Sequence, residues 1–155
     1  MKLFITLAVS ALLNMGVLYA DTLKVVYDLS TGDINKIEKQ LLSSVKAVAK
    51  YYASEKKTLK VIVVISGDAY KYFIDDLDFS PYASDEDAVN AQKRFKPRLA
   101  ELNDLYGVTF YMCSNGMKAR KIDRDMLYKY VHADMMKSVY LIDAQNNGYA
   151  YMPVH

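Results

Sequence analysis

The run Leu59-Lys-Val-Ile-Val-Val-Ile65, followed at once by Ser66-Gly67-Asp68, carries the strongest fold signal in the chain. Apart from Lys60 it is apolar and mostly β-branched, the pattern of a central strand buried on both faces and ended by a tight polar turn. Upstream, Leu23-Lys-Val-Val-Tyr27 reads as a first strand, and Asp28 to Asp33 as a turn. Ile34, Ile37, Leu41, Leu42, Val45, Val48, Ala49 and Tyr52 then recur at helical spacing, which predicts a helix ending near Ser54.

Downstream, a short helix is expected from about Ala69 to Leu77, and then a loop up to Asp87 that carries Pro81 and many acids. Such a loop is either a solvated connection or a flap. Ser84-Asp-Glu-Asp87 resembles a capping box for a helix with apolar positions Ala88, Ala91, Phe95, Leu99, Leu102 and Leu105. Pro97 is expected to kink or divide that helix, and Gly107 to end it. Val108 to Met112 is the third strand, with Cys113 at its tip.

The last third supports two readings. Ser138 to Ile142 has strand propensity, while Met135, Met136, Val139 and Ile142 also fit one helix face. Asn146-Asn-Gly148 suits a hairpin turn or a helix C-cap, and Tyr149 to Met152 a closing strand either way, with Tyr149 and Tyr151 on one side of it. Strand-like runs alternating with amphipathic stretches favour a parallel sheet covered by helices on both faces.

Residues 1–20 read as an export signal: Lys2 supplies the positive start, Leu3 to Leu18 the apolar stretch, and cleavage after Ala20 is the expected outcome, with an uncleaved anchor as the alternative. Asp21 to His155 then forms one domain, expected in the periplasm, with no later segment able to span a bilayer. Its charge is nearly balanced, with 20 Lys and Arg against 18 Asp and Glu, which argues against a nucleic-acid partner. The fourteen tyrosines and eight methionines read first as core packing.

Cys113 is the single cysteine and cannot form an intramolecular disulfide in an oxidising compartment. In a doubly wound sheet the loops after successive strands converge on one edge. Asp28-Leu-Ser30-Thr-Gly32-Asp33, Ser66-Gly67-Asp68 and Cys113-Ser114-Asn115-Gly116 are therefore expected to meet. Asp28, Ser30, Gly32, Gly67, Ser114, Asn115 and Gly116 are the candidate binding residues around the thiol. A helix starting near Asn115 would aim free N–H groups at the sulfur, and Lys118, Arg120 and Lys121 are candidate cations that lower its pKa. The competing reading makes Cys113 a small packing residue. His132 and His155 form no metal-ligand pattern, no cofactor is expected, and a Cys–His hydrolase would need His132 to assemble in space. Ser66-Gly67 is neither a nucleophile elbow nor a phosphate loop.

The chain resembles the DsrE/DsrF-like family in Val25-Val-Tyr-Asp28 with Ser30 to Asp33, in Val63-Val-Ile-Ser-Gly67, in Gly107-Val-Thr-Phe-Tyr-Met-Cys113-Ser-Asn115 and in Gln145-Asn-Asn-Gly148-Tyr-Ala-Tyr151. That resemblance implies a three-layer α/β/α sandwich around a five-stranded, mainly parallel sheet, assembled as a homo-oligomer, a trimer or hexamer. It favours a helix from about Met136 to Gln145 and a short strand over Tyr130 to Ala133. By the same resemblance Cys113 would accept sulfane sulfur as a persulfide and pass it between donor and acceptor proteins, making the chain a candidate sulfur carrier or sulfurtransferase. The alternative is a non-enzymatic oligomeric module that binds a small ligand and uses Cys113 structurally.

Overall fold

The computed structural model describes residues 21–155, so the export-signal reading of residues 1–20 lies outside the described residues. Five strands form one sheet: β1 (Thr22–Leu29), β2 (Thr58–Ile65), β3 (Thr109–Met112), β4 (Val131–His132) and β5 (Ala150–Val154). Their order is β4-β3-β2-β1-β5, and every neighbouring pair is parallel. Parallel pairing requires a crossover between successive strands, so both faces must be covered.

All four crossovers contain a helix. Residues 34–54 form α1, in which a π-helical stretch, Ile37–Ser43, links α-helical Ile34–Lys36 and Ser44–Ser54. Asp33 caps its start by accepting from the N–H groups of Asn35 and Lys36. The second crossover contains α2 (Glu86–Tyr106), which runs undivided through Pro97. Its cap is Asp85, which accepts from the Ala88 N–H, rather than the Ser84 of the expected box. Gly107 closes it at φ 63°, a left-handed conformation that glycine adopts without penalty. The short α3 (Ser114–Arg120) follows β3 directly, and α4 (Lys137–Asn146) connects β4 to β5.

The two faces of the sheet carry very different cores. Val25, Tyr27, Leu29, Val61, Val63, Ile65, Phe110 and Met112 point into a large cluster with Ile37, Leu41, Leu42 and Val45 of α1 and Ala88, Ala91, Phe95, Leu99 and Leu102 of α2. On the other face a small cluster holds Val26, Val64, Tyr140 and Ala144, with only α4 above it. The alternation along each strand sorts the residues into these two layers.

Two local expectations are corrected. No helix spans 69–77: single 3₁₀ turns form at Tyr70–Phe73 and Leu77–Phe79, because Ile74 between them is extended and makes an antiparallel bridge to Leu127. The segment 137–146 is helical, but its buried face is Tyr140 and Ala144, whereas Met135, Met136 and Ile142 are exposed, Ile142 by 56%. Leu105 likewise lies at the surface. Among the described residues no helix is long and apolar enough to cross a membrane.

Candidate functional site

The loops after β1 and β2 touch at the carboxyl edge of the sheet. The main-chain N–H of Asp68 donates to the Ser30 carbonyl at 2.9 Å, and that of Ser66 to the Leu29 carbonyl at 2.9 Å. Gly67 sits at φ +59°, and a Cβ there would lie 2.3 Å from the Ser30 carbonyl oxygen. A Cβ on Gly32 would approach Cβ of Asp68 to 2.9 Å. Both glycines are therefore required by the close passage of one loop over the other. A crevice of about 450 Å³ lined by Thr31, Gly32, Asp33, Asp68, Lys71 and Tyr82 opens beside them.

The third loop joins through Tyr70. This side chain is 1% exposed and donates its hydroxyl proton to the Cys113 carbonyl at 3.0 Å. Gly116 leaves the space that the phenol fills, since a Cβ there would stand 1.9 Å from the Tyr70 oxygen. Arg120 lies over the ring, 4.8 Å from its centroid, and its charge also acts on Tyr82 at the crevice wall. Burial, and then the contact with Cys113, push the Tyr70 phenol well above its ordinary pKa, so it stays protonated as a donor.

Cys113 is half-buried and occupies the N-cap of α3. Partial burial opposes ionisation of the thiol, but main-chain N–H groups of Gly116, Lys137 and Asn115 face the sulfur and draw its pKa below the ordinary value. The phenol of Tyr70 adds to this field while its proton goes to the Cys113 carbonyl, so what favours the thiolate is chiefly the dipoles of the nearby main chain. Two of the three N–H groups belong to the first turn of α3 and one to the first residue of α4, so two helix starts converge on one atom.

The approach of α4 is built by the loop before it. The Ser114 N–H donates to the Met135 carbonyl at 3.0 Å, and the N–H groups of Asp134 and Met135 both donate to the Tyr140 hydroxyl, at 2.8 and 3.0 Å. Below it, Asp28 is 3% exposed. Its Oδ2 accepts from the Tyr151 hydroxyl at 2.9 Å, and its Oδ1 lies 2.8 Å from Lys137 Nζ. The latter is a close ion pair that is not aligned as a hydrogen bond, so its strength is Coulombic.

The structure thus brings Asp28, Gly67, Cys113, Asn115 and Gly116 to one edge, and fixes Ser114 through its own N–H. Ser30 is turned to His155, with Oγ 2.6 Å from Nδ1. Lys118 and Lys121 are exposed, and of the three candidate cations it is Arg120 that packs on Tyr70. His132 packs its ring 5.5 Å from that of Tyr111, so neither histidine is engaged with the thiol in these contacts. Sequence reasoning missed Tyr70 and Lys137. Tyr70 follows the Ser66-Gly67-Asp68 turn closely and was within reach of the loop argument; Lys137 carried no signal until the start and direction of α4 were known.

The model of the DsrE/DsrF-like family matches residues 24–154. An uncharacterised protein of Aquifex aeolicus is 27% identical over 136 residues, which are 88% of this chain and 58% of that protein, so the chain spans somewhat over half the length of this relative. Among solved structures, a protein of unknown function from Methanobacterium thermoautotrophicum superposes with a TM-score of 0.63 at 21% identity, covering 84% of this chain and 98% of that one. That likeness shows the fold.

Proposed function

The chain belongs to the DsrE/DsrF-like family, and from that premise we propose that it carries sulfane sulfur on Cys113. The observation that supports this most is the placement of a half-buried thiol against N–H groups from two helix starts at the carboxyl edge of a parallel sheet. The proposed step needs a thiolate. Its sulfur attacks the outer sulfur of a donor persulfide, R–S–SH; the S–S bond of the donor breaks, R–S⁻ leaves with the electron pair, and Cys113 becomes Cys–S–SH. The same reaction with an acceptor thiolate, run in the opposite sense, unloads the sulfur.

The N–H groups favour the charge that starts this step and would equally favour a persulfide anion, without supplying a proton that quenches it. With residues 1–20 as an export signal, the donor belongs outside the cytoplasm and is a polysulfide or thiosulfate-derived sulfur, exchanged by a homo-oligomer with donor and acceptor proteins. Incubation with a donor carrying labelled sulfane sulfur tests the step: label should stay with the wild-type chain after gel filtration and be released by reductant. Equal retention by Cys113→Ser overturns it.

A second reading is favoured by the crevice of about 450 Å³ next to the site, which has the size of a small-molecule pocket. In it the chain binds a small ligand, and Cys113 only packs. A ligand-induced rise in melting temperature that survives in Cys113→Ala supports this reading over the first.

A further inference from the structure

We propose that Lys137 is a positioning residue for the thiolate of Cys113, and that its ion pair with buried Asp28 is the clasp that holds the start of α4 against the sulfur. The inference rests on the reading of Cys113 as the reactive group, but not on its cargo. Lys137 is joined to the site by both of its ends. The main chain leading into it is tied to the loop of the thiol, since the Ser114 N–H donates to the Met135 carbonyl at 3.0 Å and brings the Lys137 N–H toward the Cys113 sulfur, while its ammonium group lies 2.8 Å from Asp28 Oδ1 on β1. No other residue described links the sheet's buried carboxylate to the thiol's donors in this way.

The arrangement is expensive unless it does something. A carboxylate 3% exposed must be compensated, and here the compensation is Lys137 on one oxygen and the Tyr151 hydroxyl on the other. An apolar residue at position 28 would continue the Val26 and Val64 cluster beneath α4 without that requirement. What the carboxylate adds is direction, since it draws the first residue of α4 down onto the strand ends. The buried residues of α4 are Tyr140, one turn in, and Ala144, about two turns in, and the bonds of Tyr140 and Met135 fix the preceding loop, so the ion pair is the contact that ties Lys137 itself to β1. Other groups around the sulfur are accounted for separately: Tyr70 is bonded to the Cys113 carbonyl, Arg120 packs on the Tyr70 ring, and Gly116 and Asn115 belong to α3.

Charge and position make opposite predictions for Asp28→Asn. If Asp28 acted on the thiol only through space, removing a negative charge, and freeing the Lys137 ammonium, would make the thiol more acidic. If the pair is a clasp, the same change loosens Lys137 and makes the thiol less acidic. The test is the pH dependence of iodoacetamide alkylation of the full chain. Asp28→Asn and Lys137→Met should each raise the midpoint by about one pH unit, slowing alkylation near neutrality up to about tenfold, with Lys137→Arg restoring most of it. A midpoint that falls or stays put in Asp28→Asn overturns the proposal. Should that variant not fold, Tyr151→Phe, at the surface and neutral in charge, should raise the midpoint by a few tenths of a unit, and no shift overturns the clasp. Because iodoacetamide reports the bare thiol, these results stand whether or not Cys113 proves to take up sulfur.

Discussion

The two faces of the sheet divide the work of the molecule. Beneath α1 and α2 lie most of the large buried side chains, among them Phe73, Phe95, Phe110, Tyr72 and Leu99, with no ionised group among them. Between α4 and the sheet there are four buried apolar residues, Val26 and Val64 from the strands and Tyr140 and Ala144 from α4 itself, and, at the end of the same layer, the carboxylate of Asp28. Burial of apolar area contributes about 25 cal/mol per Å², so the first face supplies most of the stability. The second face is thin, and a thin layer is what leaves room for a polar cluster at its rim. Cys113 stands where the layers meet: Tyr70 reaches it from the thick side and Lys137 from the thin one.

If that division is right, the largest effect on stability comes from the thick face. Phe110→Ala, which removes a ring packed against Phe73 and Tyr130, is expected to lower the unfolding free energy by about 3–5 kcal/mol in a denaturant titration. A loss below about 1 kcal/mol would break the comparison, because it would mean that the face is not close-packed. Next is Gly116→Ala, where a methyl group 1.9 Å from the Tyr70 oxygen must displace the phenol. About 1–3 kcal/mol of strain is expected, together with slower alkylation of Cys113.

Tyr70→Phe sharpens the boundary between the layers. It removes the 3.0 Å bond to the Cys113 carbonyl while leaving the ring, and should lower stability by about 1 kcal/mol with only a small rise in the thiol midpoint. A large rise would show that the phenol, not the N–H groups, is the sulfur's main donor. The smallest effect is the pH linkage of the thiol itself. A pKa depressed in the folded state adds stability that is fully present above the unfolded value of about 8.5 and is lost as the pH falls through the folded one. The stability of wild type relative to Cys113→Ser should therefore grow as the pH rises between those two values, and a difference that stays flat would mean the thiol is not drawn down.

The thick face was largely legible in the sequence and the thin one was not, for a physical reason. Helix α1 and the strands β1 to β3 carry their own periodicity, and Gly107 announces the end of α2 through its φ of 63°. Over 69–77 the pattern failed because Ile74 takes its backbone partner from Leu127, 53 residues further along, and no local period encodes that bridge. Around the start and along α4 the apolar residues Met135, Met136 and Ile142 imitate a buried face, yet they are exposed, while the buried face is Tyr140, whose hydroxyl serves the loop, and Ala144. The edge at which Cys113 lies could be placed from the order of strands, loops and glycines. Lys137 could not, because its role depends on which end of a helix meets which strand.

The claim that ties the rim to function is that the Cys113 thiolate takes up sulfane sulfur. Intact mass spectrometry of the chain after polysulfide treatment and gel filtration tests it most directly, beside the Cys113→Ser variant. The account predicts a gain of about 32 Da per added sulfur in the wild type alone, reversed by reductant, as thiolate exchange requires. No gain in the folded wild-type protein, or an equal gain in Cys113→Ser, would contradict it.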